Sequence, residues 1–116
     1  MNHSVAAEKS LDFAVRIVNA YKHLSREKKE YILSKQLVRC GTSIGANVAE
    51  AQRGQTKADF YAKMSIALKE ANEAQYWIEL LYRTDYFDAG QYQSLNGDVQ
   101  ELIRILTAIC VTASKK

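Results

Sequence analysis

The chain has 116 residues and a formal net charge of +3, with 47% hydrophobic and 25% charged residues. This length fits one compact domain, and this balance excludes a disordered chain and an integral membrane protein. The first ten residues lack a basic segment followed by an apolar run, and no apolar run reaches the about 20 residues of a membrane span, so we expect a cytoplasmic protein.

The first predicted helix covers about residues 4–24. Apolar side chains recur there at spacings of three and four residues, which is the repeat of one helix face. The charged segment 25–30 lacks this repeat, so we interpret it as a connection. The predicted apolar stripe consists of Ala7, Leu11, Ala14, Val18 and Tyr21.

The second predicted helix covers about residues 34–53, with Ser34 as its N-cap and Gly54 as its C-cap. Its predicted core face and its basic opposite face are derived from a turn of about 100° per residue. The core face comprises Leu33, Leu37, Cys40, Gly41, Ile44, Val48 and Ala51, and the opposite face Lys35, Arg39, Ala46 and Arg53.

Two further helices are predicted over about residues 57–84 and 88–113. Thr56 and Asp88 stand at capping positions before them, and we expect the second of the two to continue through Gly97. Four such helices joined by short connections predict an all-α, up-down-up-down four-helix bundle in a single domain. The core stripes are Phe60, Met64, Ala67, Ala71, Ala74, Ile78 and Leu81, then Leu95, Val99, Leu102, Leu106, Ile109 and Ala113.

The segment Gly41-Thr42-Ser43-Ile44-Gly45 matches the G-x-S-x-G pattern of hydrolase nucleophiles. That motif requires a strand, a sharp turn and a histidine later in the chain, whereas Ser43 lies in a predicted helix and both histidines precede it. No Glu-x-x-His, Cys-x-x-Cys or phosphate-binding loop is present. Cys40 and Cys110 fit buried free thiols. We therefore expect no enzyme activity, no metal and no cofactor.

Two surfaces nevertheless suggest partners. Eight cations around the second helix form either a solvated face or a contact surface for the phosphates of RNA or DNA. On the third helix, four apolar side chains lie opposite the core stripe and favour self-association over simple exposure. The cations are Lys22, Arg26, Lys28, Lys29, Lys35, Arg39, Arg53 and Lys57, and the apolar residues are Ile66, Tyr76, Trp77 and Leu80.

Three polar residues of the second helix, Ser43, Asn47 and Glu50, share a flank between its core face and its outer face. Two interpretations of this flank stay open, a hydrogen-bond network between helices or subunits and ordinary exposure to solvent. Under the first interpretation, Ser43→Ala would lower stability or assembly and would change no reaction rate.

The stretch 36–51 resembles a known family signature, approximately Q-x-x-R-x-x-x-S-I-x-x-N-I-A-E-G. This signature is that of the four-helix-bundle proteins encoded in intervening sequences of bacterial 23S rRNA genes. Val48 and Ala51 depart from it, replacing isoleucine and glycine. Matches extend from about Leu24 to Leu106. They include Gln36, Arg39, Ser43, Ile44, Asn47, Ala49, Glu50, Asp59-Phe60-Tyr61, Tyr86-Phe87 and Tyr92.

The resemblance implies a bundle that assembles into a ring, with a pentamer as the expected form, and without established enzyme activity. The chain is also similar to the accessory protein of diversity-generating retroelements, which implies nucleic-acid binding and a reverse transcriptase or another protein as partner. Our leading interpretation is a non-enzymatic homo-oligomer that binds RNA or DNA. The alternative is a protein-binding scaffold or accessory subunit whose charges serve solubility.

Overall fold

The computed structural model describes residues 3–115 and contains four α-helices: α1 (His3–Arg26), α2 (Leu33–Ala51), α3 (Lys57–Arg83) and α4 (Ala89–Ala113). Consecutive helices pack against one another, and α4 returns to α1, which is the most loosely packed pair of neighbours. The bundle measures 47 × 20 × 19 Å. The predicted four-helix bundle is confirmed.

The predicted core stripes of α3 and α4 are buried almost throughout. The hydroxyl of Thr56 accepts the Asp59 N–H at 3.0 Å, and Asp88 with Gln91 forms a reciprocal capping box at the start of α4. The α4 helix continues unbroken through Gly97, as expected. Regular heptads and side-chain caps therefore predicted this half of the molecule correctly.

The predicted apolar stripe of α1 is wrong. Leu11 is 64% exposed and Val18 is 36% exposed, whereas Phe13 and Ile17 are buried. The helix has two apolar stripes, and the one that contains Phe13 and Ile17 faces the core. The buried face consists of Ala6, Ser10, Phe13, Ile17 and Leu24.

Two glycines of α2 face α1 and allow the helices to approach closely. A Cβ added at Gly41 would lie 2.8 Å from Ile17 Cγ2, and one added at Gly45 would lie 3.4 Å from the backbone of Ser10. A side chain at Gly41 would therefore clash with the core of α1. In contrast, Gly97 on α4 has no atom within 4 Å of such a Cβ.

Both predicted caps of α2 are wrong. The helix begins at Leu33, and Ser34 is a buried residue whose hydroxyl donates to the backbone oxygen of Glu30 at 2.8 Å. At the other end, Gln52 is the C-cap, and Gly54 does not adopt the left-handed conformation that suits a glycine cap.

Candidate nucleic-acid interface

The connection between α1 and α2 is a tight, hydrogen-bonded turn. Lys29 has a φ of 59°, in the left-handed region that ends many helices. The next N–H, that of Glu30, donates to the Leu24 oxygen at 2.9 Å, a bond that spans seven residues and closes the turn onto the end of α1. The sequence indicated a charged connection here, but α1 extends through Arg26 and the turn has a fixed shape.

Glu30 caps α2 with its carboxylate. The backbone N–H groups of Ile32, Leu33 and Ser34 donate to it at 3.1, 3.0 and 2.6 Å. Glu30 is only 8% exposed, and burial would raise its pKa, but these hydrogen bonds outweigh burial and hold the pKa below its ordinary value. The carboxylate is therefore charged at neutral pH, and its charge is directed into the helix end instead of the surface.

Five cations surround this turn and form what we call the joint cluster. All five are exposed, and none of their nitrogens lies within 4.0 Å of a carboxylate among residues 3–115. The two acids on the connection itself are engaged elsewhere, since Glu27 contacts His23 Nδ1 at 2.9 Å and Glu30 caps α2. The joint cluster consists of Lys22, Arg26, Lys28, Lys29 and Lys35.

The other three predicted cations do not join this cluster. Arg39 lies on α2 but contacts Glu73 of α3 at 3.6 Å and donates to Gln36 at 2.9 Å. Arg53 and Lys57 lie at the opposite end of α2, roughly 25 Å from Lys35 at a rise of 1.5 Å per residue. The predicted single basic surface is therefore divided between the two ends of the bundle.

Only two of the four residues of the predicted apolar patch on α3, Ile66 and Tyr76, are exposed. Trp77 is half-buried against the core and its indole N–H donates to Glu73 at 3.1 Å, so the expectation that it has no place inside the fold is wrong. Tyr76 packs edge-on against it and is 61% exposed. Ile66 is 42% exposed but lies about three helical turns from Tyr76 along α3. Leu80 is half-buried.

A different apolar surface lies on the outer side of α1. Leu11, Val15 and Val18 are 64%, 55% and 36% exposed and succeed one another along two turns of the helix. We call them the outer stripe. The sequence signal for it was present, because α1 carries more apolar residues than one buried face can hold.

The polar flank of α2 makes two kinds of contact. Asn47 donates to the backbone oxygen of Ser43 at 2.9 Å and to its hydroxyl at 3.1 Å, both within the helix. Glu50 contacts Lys63 of α3 at 2.9 Å. One of the three residues thus links two helices, while Ser43 and Asn47 bond to each other.

The surroundings of Ser43, Cys40 and Cys110 do not activate these side chains as nucleophiles. Ser43 lies inside α2, and the hydrogen bond to its hydroxyl comes from Asn47. Both cysteines are buried and free, as predicted, and burial together with Glu73 and Glu70 raises the pKa of Cys40 to about 12. Burial likewise raises the pKa of Cys110.

Within residues 3–115, no three His, Cys, Asp or Glu side chains are grouped to hold a metal ion. Over the same residues, no helix has the length and hydropathy needed to cross a membrane.

The family model of the 23S rRNA-intervening sequence proteins matches residues 2–108. The chain belongs to this family. It is also similar to a crystal structure from Bacteroides thetaiotaomicron, a protein of unknown function from the S23 ribosomal protein family. That structure shares 55% sequence identity with a TM-score of 0.93, covering 95% of this chain and 98% of the other. No curated protein matches the sequence. The comparisons therefore confirm the predicted family and fold for this intervening-sequence protein.

Proposed function

We propose that this intervening-sequence protein is a non-enzymatic homo-oligomer that binds RNA or DNA through the joint cluster. The observation that carries this proposal is a set of five exposed cations around a turn whose buried acid faces inward. None of their nitrogens lies within 4.0 Å of a carboxylate of residues 3–115. Unpaired Lys and Arg side chains gain most from phosphate contacts, since binding releases the counterions condensed on nucleic acid.

The joint cluster contains no element that would enter a duplex groove and read base edges. Binding through lysine side chains to phosphates is tolerant of sequence and falls steeply with salt. Several copies in one assembly would add their positive fields, so self-association would strengthen the attraction.

Neutralising the joint cluster should weaken nucleic-acid binding at least tenfold at low salt. The variant carries Lys28→Gln, Lys29→Gln and Lys35→Gln, and removing three phosphate contacts should reduce the salt slope of a single-stranded ligand by about 2. Fluorescence anisotropy with a labelled 20-nucleotide RNA and a DNA of matching sequence measures both quantities.

The matched control neutralises Arg53 and Lys57, the predicted cations at the other end of the bundle. It should change the affinity less than twofold. Equal losses in the two variants, or no retention by the wild type at low salt, would contradict the proposed role of the joint cluster.

The outer stripe supports the homo-oligomeric part of the proposal. Three large aliphatic side chains on one helix face, each at least a third exposed, form the kind of surface that association covers. The charges fit association between copies, because residues 1–63 carry eleven Lys/Arg and six Asp/Glu, whereas residues 64–116 carry five and seven. A face from the first half can thus meet the second half of another copy, which is the head-to-tail contact that generates a ring.

Leu11→Glu with Val15→Glu should reduce the native mass to that of one 13.1 kDa chain. Two charges in a buried apolar contact are too costly to desolvate. Light scattering reports the mass, and Ile66→Glu with Tyr76→Glu, on the predicted patch of α3, serves as the control. The assignment would be overturned if the control variant dissociated while the outer-stripe variant kept the mass of the assembly. A wild-type protein that is already monomeric would also overturn it.

The alternative function, a protein-binding scaffold or accessory subunit of a reverse transcriptase or another protein, is favoured by the same outer stripe. In that case the joint cluster serves solubility, and retention of nucleic acid would show a salt slope near zero that the three Gln substitutions leave unchanged.

A further inference from the structure

Tyr31 and Ile32 protrude from the middle of the joint cluster. Tyr31 is 52% exposed and Ile32 is 74% exposed, the highest value among the large hydrophobic residues between residues 5 and 115. We propose that Tyr31 stacks on an unpaired base of single-stranded RNA or DNA whose phosphates contact the surrounding lysines. This inference rests on the proposed function and specifies the form of nucleic acid that the site takes.

The exposure of these side chains is imposed by the backbone. The N–H of Ile32 donates to the buried Glu30 carboxylate at 3.1 Å, and the bond from the Glu30 N–H to the Leu24 oxygen fixes the turn on the side of α1. Tyr31 therefore stands between two anchored positions and presents its ring outward without a preceding rearrangement. Because the backbone on both sides is already fixed, stacking of a base on the ring costs no ordering of the chain.

The charges beside the ring match a nucleic-acid backbone. Lys28 and Lys29 lie three and two residues before Tyr31, and Lys35 lies one helical turn after it. All three are exposed, and no carboxylate of residues 3–115 lies within 4.0 Å of their nitrogens. An aromatic ring flanked by cations is the arrangement that proteins use for single strands, in which every base offers a face for stacking. A duplex keeps its bases stacked inside and offers the ring nothing but sugar and phosphate.

An acidic apolar segment of a protein would satisfy the same charges, but it would gain little from the planar ring itself. Removing the ring distinguishes the two occupants. Loss of stacking weakens single-strand binding and leaves duplex binding unchanged, whereas a protein-binding site shows no preference between the two forms of nucleic acid.

The experiment compares Tyr31→Ala and Tyr31→Phe with the wild type, using a uridine 20-mer and an RNA duplex of equal length at low salt. Tyr31→Ala should weaken binding of the single strand about tenfold, within the range of one base stack, and change duplex binding less than twofold. Tyr31→Phe keeps the ring and should retain the wild-type affinity. Tyr61→Ala, which removes a 40% exposed tyrosine at the other end of the bundle, is the matched control.

Equal affinities of Tyr31→Ala and the wild type for the single strand, or equal losses on both ligands, would overturn the stacking role alone. A wild type that retains neither ligand would contradict the proposed function together with this inference. Because Tyr31 is exposed, its substitution should leave the thermal unfolding midpoint within about 2 °C, which circular dichroism verifies.

Discussion

Replacing Glu30 with alanine should lower the free energy of unfolding by about 3 kcal/mol. The substitution leaves the N–H groups of Ile32, Leu33 and Ser34 without their shared acceptor, and one of these bonds is fully buried. Loss of a helix cap costs about 1 kcal/mol, and each hydrogen bond to a charged group contributes about 1.5–3 kcal/mol, part of which water recovers at the exposed N–H groups. Urea unfolding followed by circular dichroism measures the change.

Glu27→Ala is the matched control, three residues earlier on the same connection. Its side chain is 73% exposed and pairs with His23 on the surface, so its loss should change stability by less than about 0.5 kcal/mol. Equal stabilities of Glu30→Ala and the control would show that the carboxylate is not the cap of α2.

The stabilisation from Glu30 should also depend on pH in a defined direction. Its folded-state pKa is lower than the ordinary value of 4.5, so its contribution is complete above about pH 4.5 and is lost as the pH falls through the folded pKa. Glu30→Gln should lack this component of acid destabilisation. If the difference in the free energy of unfolding between the wild type and Glu30→Gln stayed constant down to about pH 3, the assignment would be contradicted.

Replacing Gly41 with valine should destabilise the bundle by about 3 kcal/mol, at the upper end of the range for overpacked cores. The added Cβ alone would lie 2.8 and 2.9 Å from the two γ-carbons of Ile17, which is itself buried and has no room to withdraw. Thermal and urea unfolding measure the loss.

The control is Gly97→Ala, a glycine in the interior of α4 with no atom near the added Cβ. This change should raise stability by about 1 kcal/mol, because alanine is the better helix former.

Combining Gly41→Val with Ile17→Ala should cost less stability than the sum of the two single changes, since the smaller side chain at position 17 removes the clash. Strict additivity would show that the two residues do not compete for space.

The sequence predicted α3 and α4 well because their apolar heptads continue without a break along each helix. Thr56 and Asp88 placed both helix starts, since a hydroxyl or carboxylate three residues before a free N–H leaves little choice of cap. The α1 helix offered two apolar stripes of similar spacing, and periodicity alone does not rank them. The close approach of Gly41 to Ile17 and of Gly45 to Ser10 orients α1, and such contacts between helices are not visible in the periodicity of one helix.

The start of α2 was misplaced for a different reason. Ser34 is a common N-cap residue, but here the acceptor comes from Glu30, four residues earlier, through a turn that requires Lys29 in a left-handed conformation. Single-residue capping rules do not describe such a turn.

The sequence identified the cations of the candidate site but did not show how they are divided along the bundle. A helical projection places Lys35 and Arg53 on one face, but it shows only the angle around the helix axis. Along the axis, the two residues lie at opposite ends of α2. Nor does it show that Glu73 engages both Arg39 and Trp77. The joint cluster is set apart because Glu27 and Glu30 are engaged by residues within four positions of them, in a turn that capping rules do not describe, whereas Arg39 is paired with the distant Glu73.

Native mass spectrometry of the wild-type protein with a single-stranded 20-nucleotide RNA at low salt tests the central claim most directly. The outer stripe and the joint cluster predict a complex containing several copies of the 13.1 kDa chain together with RNA. A spectrum holding only the single chain and free RNA would contradict both the assembly and the nucleic-acid interface.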